Sequence, residues 1–121
     1  MKKLNKLWLQ WFIGFNDAEG NFQVFPKKRV LKSGGGEISR YGVGCAYHLS
    51  LHSRDATLIK DIHQKLDNIG VIYEYKTKPD CRLAISDRNG LLYLFKIAFD
   101  AYPLLSNNQL MRYSLLKKKI P

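Results

Sequence analysis

Residues 3 to 18 place Leu4, Leu7, Trp8, Trp11, Phe12 and Phe15 at the i, i+3, i+4 spacing of one helical face. The helix this predicts closes on "NDAEG", with Asp17 and Glu19 crowded against Gly20. Carboxylates in a last turn face the negative end of the helix macrodipole, which disfavours each by roughly 0.3–1 kcal/mol. Something outside the helix must offset that. Gly14 inside the helix costs about 1 kcal/mol relative to alanine, and with Ala18 it makes a small-xxx-small pair that admits a second backbone. Either this protein's own core or another helix can use that space. Leu9 and Ile13 lie off the main stripe, so the helix is apolar nearly all round, and one face is expected to meet a second helix rather than water.

Glycine at C′ is expected to end the helix at Gly20. "NFQVFPKKRV" reads as a strand broken or bulged at Pro26, and "LKSGGGE" as a hairpin tip. In "ISRYGVGCAYHLSLHSR", Tyr41, Val43, Cys45, Tyr47, Leu49 and Leu51 share one parity. The other parity, Arg40, Gly42, Gly44, Ala46, His48 and Ser50, is small and polar, with little to pack a core. Strands are thus expected over 21–54 and again over 71–86, where "VIYEYKTK" and "CRLAIS" turn around Pro79 and Asp80. Asp55 can cap a helix over 55–69 with the stripe Leu58, Ile62, Leu66 and Ile69, ended by Gly70. Leu91, Leu94, Phe95, Ala98 and Tyr102 mark a helix over 88–102 that stops before Pro103, and Ser106 can cap a basic helix over 106–119.

The 121 residues suit a single domain, 1–121. Lys and Arg number 20 against 10 acids, a formal charge of +10 with a pI near 9.7, so a polyanionic partner is expected. From Asn21 to Arg54 the basic residues Lys27, Lys28, Arg29, Lys32, Arg40 and Arg54 face only Glu37. Cys45 and Cys81 have no CxxC spacing, and His48, His52 and His63 do not complete a zinc set. Two unclustered cysteines fit a reducing, intracellular compartment. The basic and apolar start imitates a signal peptide, but Asn5, Lys6 and Gln10 interrupt it and the acidic pair follows directly. No stretch reaches the 18 or more apolar residues of a membrane span.

"FIGFNDAEG", Phe12 to Gly20, with Trp11 before it and Asn21 and Phe22 after it, resembles the signature of the LAGLIDADG homing endonucleases. "LHSRD" and "YPLLSNNQLMRY" extend the resemblance, as does the helix, hairpin, helix, hairpin, helix order. It implies an α+β fold of αββαββα order whose antiparallel sheet forms a DNA-binding saddle. Two motif helices would pack through Gly14 and Ala18, and Glu19 would hold the catalytic, metal-binding position near the scissile phosphate. A divalent cation, usually Mg²⁺, would then neutralise the misplaced carboxylate and serve phosphodiester hydrolysis by an activated water. Asp17 fills the earlier acidic position of the motif, where a hydrogen-bonding role at the helix pair is preferred. Family members often carry a lysine after the Pro-Leu pair; here Asn108 stands at that position, with Arg112 or a lysine elsewhere as possible substitutes.

A sheet of this family reads base edges in the major groove. The parity opposing Phe22 and Val24 assigns Asn21, Gln23, Phe25, Lys27 and Arg29 to the DNA side of the first strand. Arg40, His48 and Ser50 join from the second, where Gly42, Gly44 and Ala46 leave room for close approach, and Arg82 and Ser86 from the fourth. Tyr73, Tyr75, Lys76 and Lys78 are weaker candidates, and lysines 2, 3, 117, 118 and 119 suit phosphate or solvent. Nine strand residues at about 3.3 Å each reach roughly 30 Å, or about nine base pairs, one half-site. With one motif, the chain is expected to form a homodimer or to pair with a second LAGLIDADG half, and "LLKKKIP" falls where an interdomain linker would begin. The expected work is cleavage of double-stranded DNA, in an organelle (mitochondrion or chloroplast) or a prokaryotic cytoplasm. Binding of intron RNA as a maturase, or DNA binding without cleavage, are the alternatives; Glu19 argues against the last.

Overall fold

The computed structural model describes the backbone of residues 4–33 and 36–120 and the side chains of 4–26 and 42–120. Its elements run α1 (Lys6–Glu19), β1 (Gly20–Ser33), β2 (Gly36–His52), α2 (Ala56–Lys65), β3 (Val71–Glu74), β4 (Asp80–Ile85), α3 (Arg88–Leu94) and α4 (Asn107–Lys119). The strands form one antiparallel sheet in the order β1-β2-β4-β3. Among the described residues no helix is long and apolar enough to cross a membrane.

Local chemistry sets most element ends. Asn5, inside the helix expected over 3–18, starts it instead: its side-chain oxygen accepts from the amides of Leu7 and Trp8. Asp87 and Ser106 cap α3 and α4 in the same way, accepting from Gly90 and Gln109. Asp55 makes no such bond and closes a 3₁₀ turn, Ser53–Asp55, so the cap expected of it is absent. Left-handed Asp67, Asn68 and Gly70 follow α2, which is shorter than the sequence pattern suggests. The third helix also ends early, passing through a π-type turn, Phe95–Phe99, that turns Phe95, Ile97, Ala98 and Phe99 inward. Pro26 neither breaks nor bulges β1: the pairing with β2 is unbroken from Gly20↔Leu49 to Ser33↔Gly36, with Pro26 opposite Val43. β1 is an edge strand, where a missing N–H is tolerated.

The core lies between one sheet face and the helices. Tyr47, Leu49, Leu83, Ile85 and Phe22 from the sheet meet Phe12, Ile59, Ile62, Leu66, Leu91, Leu94, Phe99 and Leu116. Rings of Phe12, Phe22, Tyr47, Phe99 and Tyr113 contact one another at 5.2–6.1 Å between centroids. In α2 the fully buried residues are Ile59 and Ile62, followed by Leu66 at its C-cap, one position off the expected start of the stripe at Leu58. Cys81 is a buried free thiol donating to the carbonyls of Leu51 and His52. Burial is the main cause that pushes both cysteine thiols up.

α1 is turned differently from the sequence expectation. Leu9 and Ile13, assigned to the face that meets another helix, are buried in this chain's core with Phe12 and Asn16. Leu7 and Trp11, assigned to the main stripe, are exposed at 77% and 42%. The outward face is therefore Leu7, Trp11, Gly14 and Ala18. Along the helix side Trp8 stacks on Phe12 and Trp11 on Phe15.

Candidate functional site

The carboxyl end of α1 is held by several side-chain hydrogen bonds. Asn16, inside the apolar helix, is fully buried; its amide donates to the Phe12 carbonyl at 2.7 Å and its oxygen accepts from the Tyr47 hydroxyl. Burial pushes the Tyr47 hydroxyl far up, so it remains a donor. Gly20 is extended, not left-handed, at φ −71° and ψ 150°. The expected C′ conformation is absent, and glycine is required for another reason. A Cβ there would sit 2.6 Å from the Asn16 side-chain oxygen and 2.9 Å from its carbonyl.

Asp17 and Glu19 separate clearly. The Asp17 carboxylate accepts from the Leu105 amide at 3.0–3.1 Å and the Ser106 amide at 2.9 Å. Its misplacement is thus offset within this chain, by two N–H groups at the entry to α4. Glu19 is exposed and, among the described residues, has no hydrogen bond or ion pair. Gly14 is exposed too, and a Cβ built on it meets nothing within 4 Å. The chain's own core therefore does not need a glycine there.

On the sheet, residues paired across strands share a face. Asn21 pairs with His48, Gln23 with Ala46, Phe25 with Gly44, His48 with Ala84, and Ser50 with Arg82. The face opposite the core thus gathers Asn21, Gln23, Phe25, His48, Ser50 and Arg82, with Ser86 exposed just beyond β4. Arg82 Nε donates to Ser50 Oγ at 3.0 Å, which orients the guanidinium along the sheet. Burial and Arg82 hold the His48 imidazole below its usual range, and its buried Nδ1 has no hydrogen-bond partner. Gly44 does not leave the backbone open: the Phe25 ring occupies that space, 2.3 Å from where a Cβ would stand. Tyr73, paired with Arg82, and Tyr75 are exposed at the β3 side. The side chains of Lys27, Arg29 and Arg40 lie outside the described residues; the register pairs Lys27 with Gly42 and Arg29 with Arg40.

Asn108 is exposed in the first turn of α4. One turn further, Arg112 lines a cleft of about 350 Å³ with Asn21, Gln23, Phe25 and Leu115. Sequence reasoning overlooked Asn16 and Gln109, both buried. Each had a signal: Asn16 falls one turn after Phe12 on the core side, and Gln109 shares a helical face with Tyr113 and Leu116. A group of three or more metal-ligating side chains is absent among the described residues.

These features define a one-sided α+β domain, in which an uncovered polar sheet face begins where an acidic helix end stops. The chain belongs to the LAGLIDADG endonuclease family, whose model matches residues 12–120. No curated protein matches it in sequence. Among solved structures it resembles the meganuclease I-SmaMI bound to uncleavable DNA with a TTCT central four, at 26% identity and TM-score 0.75 over 97% of this chain and 36% of that one. I-CpaMI bound to uncleaved DNA is similar at 25% identity and TM-score 0.73, over 96% of this chain and 35% of that one. The homing endonuclease I-TnaI, at 20% identity, shares the fold at TM-score 0.74 over 97% of this chain and 71% of that one. The chain thus spans about a third of the length of the first two.

Proposed function

We propose that this chain is one half-site unit of a sequence-specific, divalent-metal-dependent endonuclease for double-stranded DNA, completed by a second copy or a second LAGLIDADG half. The observation that carries this reading is the outward face of α1, where Gly14 is open and the exposed Glu19, without a partner among the described residues, stands at the end. An open glycine on an apolar helix face suits close approach of another helix. Two such helices meeting would bring two Glu19 carboxylates to one place. The charge of +10 and the readout residues Asn21, Gln23, Phe25, His48, Ser50, Arg82 and Ser86 suit a major-groove partner.

Glu19 fits a hard cation as a single anionic oxygen ligand; the remaining ligands would come from the second motif, phosphate and water. Mg²⁺ or another divalent ion would supply charge neutralisation and an activated water there. The chain's own residues do the rest. Asp17 secures the helix end, the sheet face sets the register of the duplex, and Arg112, which lines a cleft with Asn21 and Gln23, or Asn108 would meet the DNA backbone. The activity belongs where the target DNA is, within an organelle or a prokaryotic cell.

The test is incubation of the protein with a randomised duplex library and magnesium, followed by sequencing of cut ends. Enrichment of one near-palindromic site supports a homodimer. Selective duplex binding with no cleavage under any divalent metal overturns the nuclease reading, and selective binding of structured RNA instead of duplex would favour a maturase.

A further inference from the structure

Gln109 is buried, yet its side chain does not serve the apolar core around it. Its Nε2 donates to the carbonyls of Asn16 at 2.9 Å and Gly20 at 2.6 Å, while its Oε1 is buried with no hydrogen-bond partner. The opposite amide orientation would set that oxygen against two carbonyl oxygens, so the observed one is enforced. A buried polar atom without a partner weakens a fold. The residue is therefore best explained by its two donated bonds, and those straddle Glu19.

Asp17 completes a reciprocal clasp, gripping the Leu105 and Ser106 amides from α1 while Gln109 grips α1 and β1 from α4. Ser106 Oγ in turn accepts from the Gln109 amide and ties the two straps together. We infer that Gln109 is the positioning residue of the candidate active site: it pins the backbone on both sides of Glu19, so that the carboxylate keeps its aim when cation and phosphate load it. This rests on the nuclease reading above. Glu19 itself is held by no side-chain partner among the described residues, so its backbone alone fixes its direction. Small displacements of a reacting group are costly to rate, while affinity set by a separate sheet face is untouched.

Gln109→Met keeps volume and removes both donors, and Gln109→Asn keeps the amide but draws it back by one methylene. If positioning is the role, either variant that folds should bind the selected duplex in calcium within about twofold of wild type. Single-turnover cleavage should fall at least tenfold, and the magnesium concentration for half-maximal rate should rise. Cleavage at the wild-type rate overturns the inference, as does a loss in which duplex binding and cleavage fall together. Amide hydrogen exchange at Glu19 and Gly20 separates this from failure of the nuclease reading. Should the wild-type protein cut nothing, faster exchange at these two amides in the variants still supports the clasp, and unchanged exchange overturns it.

Discussion

Replacing Asp17 with alanine should destabilise this protein by about 1–3 kcal/mol, through contacts that the sequence did not reveal. The carboxylate accepts from two amides, Leu105 and Ser106, and a bond to a charged group is worth about 1.5–3 kcal/mol when its partner stays dry. Leu105 is exposed, at 83%, so water replaces most of its bond, whereas Ser106 is half-buried and keeps most of the cost. Together they reach roughly 2–3 kcal/mol. Removing an anion from the last turn of α1 returns about 0.3–1 kcal/mol, leaving the net figure. Asn retains one acceptor oxygen, so Asp17→Asn should cost less than alanine. For a domain of this size each kcal/mol moves the melting temperature by roughly 3–6 °C. Thermal melts at fixed protein concentration, which removes assembly as a variable, measure the shift, and amide exchange at Leu105 and Ser106 locates it. A melting temperature for Asp17→Ala within a degree of wild type would refute the reasoning.

Gly14→Ala should raise the stability of the isolated chain by up to about 1 kcal/mol, because nothing lies within 4 Å of the added methyl, while Gly14→Leu should prevent assembly and cleavage together. Light scattering that finds the same monomer before and after either change would sink the homodimer. Glu19→Gln should reduce cleavage in magnesium by orders of magnitude, keep duplex binding in calcium, and leave metal-free stability equal or higher, since the carboxylate has no partner among the described residues. Cleavage by that variant at the wild-type rate would remove Glu19 from the chemistry. Arg82→Ala should cost about 1–3 kcal/mol at particular base pairs, whereas Lys118→Ala should weaken all duplexes alike and flatten the salt dependence. An unaltered site preference for Arg82→Ala in a selection experiment would mean that this sheet face does not read bases.

Periodicity and punctuation determined much of this protein by themselves. The 3.6-residue pattern placed α1, the alternation from Tyr41 to Leu51 placed β2, and Ser106 marked the start of α4, because these signals depend on neighbours a few residues away. The motif and the charge pointed to the family and to a polyanion for the same reason. Tertiary structure decided whatever depends on which side of an element meets the core. An all-round apolar helix carries no internal sign of which face is inward, so Leu9 and Ile13 changed places with Leu7 and Trp11. The fates of the two carboxylates were equally invisible. Asp17 finds its amides 88 and 89 residues away, and Gln109 reaches Asn16 from 93 residues away; only folding brings such groups within hydrogen-bond distance, which is why one acid holds the clasp and the other has no partner among the described residues.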